Sequence, residues 1–416
     1  MPPLFPESTT AELAARAAAV MTPNYRPLPL ILTGGSGARV HDRDGRTFLD
    51  MVAGIAVNCL GHGHPRLATA IAAQAAELVH ISNLYLNEPA IALAETMIAR
   101  TFGDRIFFAN SGAEANEAAL KLARRYQTTA LGSPEKTGIL AYHHSFHGRT
   151  LGALSVTGQP KYHKGFEPLV PGVVFATFGD LADTARVIDA ATTPVGTIIV
   201  EPIQCEGGIN VPDQGFFTGL RELCDARGII LIFDEVQTGI GRTGTLFCYE
   251  QFGMTPDILT TAKGIAGGVP LGAMICTEKV SVGFEPGSHA TTFGGNALAT
   301  RAGLEVLRVI QDDGLLDNAK AMGAYLASGL QALVAKYPDI CATERGMGLV
   351  RGLELKDGVQ TAAERATFIT ALAREEGMLI NVVQGTTLRF VPPLVVTTAE
   401  LDECFAILDS VFSATI

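Results

Sequence analysis

From about residue 66 onward, short apolar runs alternate with longer segments of helical period, and this alternation limits the possible folds more than any other feature of the chain. RIFFAN, TGILAY, GVVFAT, GTIIVEPI and GIILIFDE are short and rich in β-branched and aromatic residues, as strands are. HPRLATAIAAQAAEL and EPAIALAETMIAR space their apolar residues for one face of a helix. Strands joined through helical crossovers pair in parallel, so the expected class is α/β: a mainly parallel, seven-stranded-type sheet with helices on both faces. A chain of 416 residues exceeds one ordinary core. The pattern places a large domain over residues 66–300. Residues 1–65, with a helix from Thr10 to Met21 and a β-hairpin around the DRDG turn of GARVHDRDGRTFLDMVAG, form an N-terminal segment of a smaller domain. Residues 301–416 complete that α+β domain with the helices LEVLRVI and MGAYLASGLQALVAKY and the strands LVRGLEL, MLINVV and TLRFVP. There is no internal repeat and no low-complexity linker.

Composition narrows the function classes. The net charge of −11 is spread along the chain, with no basic run longer than Arg124-Arg125, which speaks against a nucleic-acid footprint and for small-molecule partners. No apolar run approaches the roughly 18 residues of a membrane span, and MPPLFPESTT lacks the charged and apolar regions of a secretory leader. The seven cysteines, 59, 205, 224, 248, 276, 341 and 404, are odd in number and contain no C-x-x-C, so no disulfide framework or zinc site is indicated and a reducing cytoplasm is expected.

The chemistry centres on Lys263, a lone lysine before glycines in TTAKGIAGGVPLGA, and on Asp234, which ends the apolar run of IILIFDEVQTG. A lysine amine can hold pyridoxal phosphate as a Schiff base, and a carboxylate at the carboxyl end of a central parallel strand can pair with the protonated pyridine nitrogen. A structural salt bridge would equally satisfy a single buried aspartate. In RIFFANSGAEANEAALKLARRY, a strand runs into a helix through Asn110-Ser111-Gly112-Ala113, either a phosphate cradle at a helix N-terminus or an ordinary Ser111/Glu114 capping box. In YHHSFHGRTLGA, Phe146 can cover a planar ring or fill core, and Arg149 can grip a carboxylate or lie on the surface. His143, His144 and His147 match no standard zinc spacing and have no adjacent acidic ligand, so no metal is expected. Gln237 can reach a phenolic oxygen on the cofactor.

NSGAEANEAALKLAR, SFHGRTLGALSVTGQPKY, VEPIQCEGG, FDEVQTGIGRTG, DILTTAKGIAGGVPLGA and HATTFGGNALA occur in that order. With them the chain resembles the class III aminotransferases of the fold-type I pyridoxal phosphate family over roughly residues 30–400. The resemblance implies that Lys263 is the Schiff-base lysine and Asp234 the pyridinium partner. It further implies that Phe146 stacks on the ring, that Ser111, Gly112 and Ala113 hold the phosphate, and that Glu235, Val236 and Gln237 belong to the cofactor site. Thr292 is implied to reach the phosphate of a neighbouring subunit, making the active unit a homodimer. Arg149 and Thr291 match substrate-binding positions. Glu206 and Arg389 match a pair in which the glutamate masks the arginine while an ω-amino substrate is bound, then swings away for the α-carboxylate of 2-oxoglutarate; a plain structural ion pair is the alternative. Cys205 stands where the family pattern has glycine. Within the class, GHGHP, HISNLY, GMGLVRGLEL and LRFVPPLVV look most like the acetylornithine-converting members, implying ping-pong transfer of the δ-amino group of N2-acetylornithine to 2-oxoglutarate, as in arginine biosynthesis. Ornithine, succinylornithine, γ-aminobutyrate or putrescine are alternative donors. A nicotinamide dehydrogenase would need G-x-G-x-x-G directly after a strand, which GIGRTG does not supply, and a cofactor module without catalysis would lack Lys263, Asp234 or Arg149.

Overall fold

A computed structural model describes residues 4–415. After an N-terminal helix, Thr10–Val20, closed by a Thr9/Glu12 capping box, β1 (Leu32–Ser36), β2 (Arg39–Asp42) and β3 (Thr47–Asp50) form an antiparallel meander. The DRDG hairpin forms between β2 and β3. Asp42 fixes it by accepting the N–H groups of Asp44 (3.0 Å) and Arg46 (2.9 Å), the local closure that makes Asp a turn residue.

The central sheet comprises β4 (Arg105–Ala109), β5 (Gly138–Tyr142), β6 (Val173–Ala176), β7 (Val195–Val200), β8 (Ile230–Asp234), β9 (Ile258–Thr261) and β10 (Gly272–Cys276). Its order is β4-β10-β9-β8-β7-β5-β6, parallel throughout except for β10, which runs antiparallel to both neighbours. β7 and β8 bury every residue, as strands covered on both faces must. Each such Ile, Leu or Phe side chain contributes about 1.5–3 kcal/mol of burial. The five apolar runs read from sequence are β4 to β8. β9 lies within the motif around Lys263 and β10 begins at its end; neither was anticipated there.

Beyond the sheet come β11 (Cys341–Met347), β12 (Val350–Leu355), β13 (Met378–Leu379), β14 (Asn381–Val383) and β15 (Thr387–Phe390). The segment MLINVV divides between two sheets. β13 pairs in parallel with β3, whereas β14 joins the order β11-β12-β15-β14. The helix Ala297–Asp312 packs on the helices Pro65–Glu77 and Glu88–Ile98. Among the described residues no helix is long and apolar enough to cross a membrane, and all seven cysteines are free and buried.

Candidate active site

The carboxyl ends of β5, β7, β8 and β9, in parallel pairing, and of β4, brought into the same direction across the antiparallel β10, lie at one edge of the sheet, and the loops leaving those ends border a cavity of about 400 Å³. β8 and β9 pair with Asp234 opposite Thr260, so the chain emerges from β9 at Lys263 beside the aspartate. Lys263 has φ 45, in the left-handed region that costs a non-glycine residue about 1–3 kcal/mol, a conformation kept only where the surroundings impose it. Burial pushes its pKa down, partly opposed by the charge of Glu206, which moves the amine toward its nucleophilic form.

Asp234 is 4% exposed and, among the described residues, has no lysine or arginine partner. Its Oδ2 accepts from Asn116 Nδ2 and His147 Nδ1, both at 2.7 Å, and its Oδ1 accepts the Val236 N–H at 3.0 Å. Asn116 also donates to the His147 carbonyl (2.7 Å) and accepts from Thr260 (2.7 Å), which fixes all three side chains. Oδ1 keeps acceptor capacity on a carboxylate that lines the cavity, which suits a cationic N–H on a bound ring. Asn116 and His147 were not assigned this role from sequence. Asn116 follows Gly112 by one helical turn, a spacing that places both on one face.

At the mouth of the helix Gly112–Arg125, Ser111 Oγ takes the Glu114 N–H (3.2 Å), while the Glu114 carboxylate turns back to the Asn110 N–H (2.7 Å). The cap is therefore present, and the N–H groups of Gly112 and Ala113 remain at the cavity wall with the positive end of the helix dipole. A Cβ on Gly112 would come within 2.6 Å of Val236 Cγ1, so only glycine lets the two walls close. This is an anion cradle in its donors and its shape.

Phe146 lines the same cavity, its N–H held by Glu201 Oε2 at 3.0 Å. Glu201 is buried, and burial with the nearby Asp234 charge pushes its pKa well above the usual carboxylate range. Arg149 lies exposed at the rim with its guanidinium 3.8 Å from the Tyr162 ring centroid and 5.5 Å from that of Phe146, stacked yet free to meet an incoming carboxylate. Glu201 and Tyr162 went unrecognised in the sequence.

Arg389, on β15, is 1% exposed and ion-paired with Glu206. It also donates to Gln237 Oε1 (3.0 Å) and Asn381 Oδ1 (3.2 Å), and Gln237 Nε2 donates to Glu206 at 3.3 Å. Burial alone would raise the Glu206 pKa, but the charges of Arg389 and Lys263 outweigh it and hold the carboxyl below its ordinary value. Gln237 thus lines the cavity while serving the ion pair. The backbone at Cys205 stays outside the left-handed region, so its Cβ causes no strain.

Five anticipated site residues do not line this cavity: Glu206 and Arg389, which meet it through Gln237, and Glu235, Thr291 and Thr292. Glu235 faces away: its carboxylate accepts the N–H groups of Cys248 (2.6 Å) and Tyr249 (2.8 Å) and the Thr238 hydroxyl (3.1 Å). Adjacent positions at a strand end point to opposite faces, so Asp234 takes the cavity and Glu235 the interior. Thr291 and Thr292 line a second hollow with Asn110 and Phe293, separate from Lys263 within one chain.

The class-III aminotransferase family profile matches residues 20–412. The acetylornithine aminotransferase of Thermosynechococcus vestitus is 48% identical over 389 residues, covering 92% of each chain. Among solved structures, ornithine aminotransferase from Toxoplasma gondii, with partial occupancy of PLP at its active site, superposes with a TM-score of 0.92 at 32% identity, covering 98% of this chain and 95% of that one. Acetylornithine aminotransferase from Elizabethkingia anophelis gives a TM-score of 0.87 at 29% identity over 98% and 100% of the two chains. A family match across nearly the whole chain, joined to a lysine, a buried aspartate and an anion cradle around one cavity, places this chain in the class-III aminotransferases.

Proposed function

We propose that this aminotransferase moves the δ-amino group of N2-acetyl-L-ornithine to 2-oxoglutarate, giving N-acetylglutamate 5-semialdehyde and L-glutamate, a step of arginine biosynthesis. The observation that carries the reading is the pair of buried Arg389 and half-buried Glu206 next to the Lys263 cavity, with Arg149 on its rim. The two substrates differ in where charge sits. Acetylornithine reacts at the carbon farthest from its carboxylate, whereas 2-oxoglutarate reacts beside one carboxylate and carries another at its far end. Arg149 is placed to take the far carboxylate of either. Arg389 can take the near one only when Glu206 leaves it, and while the pair is closed the pocket next to the reacting carbon is electrically neutral. The curated relative's name supports acetylornithine as the donor.

In this reading Gly112 and Ala113, capped by Ser111, hold the cofactor phosphate, Phe146 and Val236 flank its ring, and Gln237 lies near its edge. When bound, pyridoxal phosphate supplies an aldehyde that takes up the substrate amine and a ring that accepts negative charge from the adjacent carbon. Lys263 would hold the cofactor through its Nζ, and the same amine would move a proton at the substrate's reacting carbon, a task its lowered pKa suits. Asp234, held by His147 and Asn116, keeps the ring nitrogen protonated.

Thr291 and Thr292 serve the site of a second subunit, so the working unit is a homodimer. Phe293, 58% exposed in that hollow, supports this, as do Leu84 and Tyr85, 83 and 64% exposed directly after Asn83, whose side chain donates to the carbonyls of Thr291 and Gly294 at 3.1 Å each. Residues 66–300 act as the cofactor domain, with residues 1–65 and 301–416 as the smaller one, a division supported by the pairing of β13 with β3. Seven buried free thiols fit a cytoplasmic location.

The test is single-turnover absorbance of the PLP-loaded enzyme, without keto acid, on acetylornithine, ornithine, succinylornithine, γ-aminobutyrate and putrescine in turn. Fast conversion by acetylornithine is expected. The likeness to ornithine aminotransferase makes ornithine the second reading, and faster conversion of ornithine would replace the donor named here.

A further inference from the structure

The loop that carries Glu206 is held by its main chain from the C-terminal sheet. Gln384, in the turn between β14 and β15, donates its side-chain amide to the Glu206 carbonyl at 2.6 Å and to Gln159 Oε1 at 3.1 Å. Gln159 in turn donates to the carbonyls of His144 (3.3 Å) and Ser145 (3.2 Å), in the loop that bears Phe146 and Arg149. Arg345, on β11, donates Nε to the Gly208 carbonyl at 2.8 Å. Beneath the loop, Cys205 packs in an apolar cluster with Ile203, Ile209 and Val391. The base is closed by the mutual backbone bonds of Gln204 and Asn210. Gln384 itself sits at φ 51, an unusual conformation for a residue with a long side chain, at an exposed turn where the fold does not require glutamine.

We propose that Gln384 and Arg345 are positioning residues that clamp the backbone of residues 206–208, so that the Glu206 gate opens by side-chain rotation alone and its closed position is set from the C-terminal sheet. The inference rests on the gate reading given above. Because the clamp keeps the Glu206 carboxylate on Arg389, it suppresses amino acids that present a carboxylate beside the reacting carbon, such as glutamate, while leaving donors with only a distant carboxylate untouched. Selectivity between the two classes is thus partly made outside the cavity.

Gln384→Asn separates this role from folding. Asparagine accepts positive φ more readily than glutamine, but it is one methylene short of the Glu206 carbonyl. A neutral hydrogen bond is worth about 0.5–1.5 kcal/mol, so the ratio of kcat/KM for acetylornithine to that for glutamate should fall about two- to tenfold, through a lower KM for glutamate, with the melting temperature lowered by no more than about 3 °C. Gln384→Glu, isosteric but unable to donate once ionised, keeps the side-chain length in case asparagine disturbs the turn, and should lower the ratio likewise. Glu206→Gln is the control for the gate, and the double variant should add nothing to it. If Glu206→Gln shifts the ratio but both Gln384 variants leave it unchanged, or lower both rates equally, the clamp is refuted and the gate stands. If Glu206→Gln leaves the ratio unchanged, the gate falls and the clamp with it.

Discussion

Replacing Arg389 with alanine should separate the two halves of the reaction. In the resting structure this guanidinium is buried against Glu206, Gln237 and Asn381. For 2-oxoglutarate the loss is a charge-assisted carboxylate grip, about 2–4 kcal/mol, equivalent to roughly 30- to 1,000-fold in kcat/KM. For the amine donor the arginine is screened, so the donor half should change by no more than about threefold. The pH dependence follows from Glu206. Its folded pKa lies below the ordinary value because Arg389 and Lys263 outweigh its burial. The pair therefore contributes stability above the unfolded carboxylate pKa and loses it as pH falls through the folded value. Without Arg389, burial dominates, the Glu206 pKa rises, and that acid-side loss should shrink. Stopped-flow absorbance of each half-reaction, with melting curves from about pH 2.5 to 7 to span the window below the ordinary carboxylate pKa, measures both effects. Equal damage to the two halves would refute the gate and leave the ion pair a structural one.

His147→Phe should lower kcat about 10- to 100-fold with KM nearly unchanged, because Asp234 loses a charge-assisted partner in a buried site; an equal rise in KM would argue against a role through Asp234. Glu235, pushed by burial up to about 7 from an ordinary 4.5, contributes fully below its unfolded pKa and loses that contribution as pH rises through the folded one. Its shift corresponds to about 3 kcal/mol, so Glu235→Gln should melt with a flatter profile between pH 4.5 and 7.5, and an unchanged slope would contradict the assignment. Thr292→Ala chains mixed with Lys263→Ala chains should regain tight cofactor binding at one site per hybrid dimer, since that site keeps both Lys263 and a partner threonine. Absence of rescue would place Thr292 outside the shared site.

Much of this was legible because buried parallel strands write themselves as unbroken apolar runs. β4 to β8 were read that way, while β9 and β10 were hidden in a stretch whose glycines and prolines mask two short strands. MLINVV looks like one strand because periodicity does not reveal that its halves pair in different sheets. At the site, residue type identified Lys263 and Asp234, but direction was invisible. His147 is set aside as a metal ligand and given no other role from sequence, yet it is spent on Asp234, and Glu235 was grouped with its neighbour although the strand points it inward. Glu201, Asn116 and Gln384 act through contacts distant in sequence, which no local pattern encodes.

The most direct test of the account is to locate the cofactor's covalent attachment. The PLP-loaded enzyme is reduced with borohydride, digested and mapped by mass spectrometry, with and without prior exposure to acetylornithine. The reduced cofactor is expected on the peptide containing Lys263 in the resting enzyme, lost from that peptide after exposure to the donor, with no label or turnover in Lys263→Ala. Label on another lysine, or turnover surviving in Lys263→Ala, would contradict it.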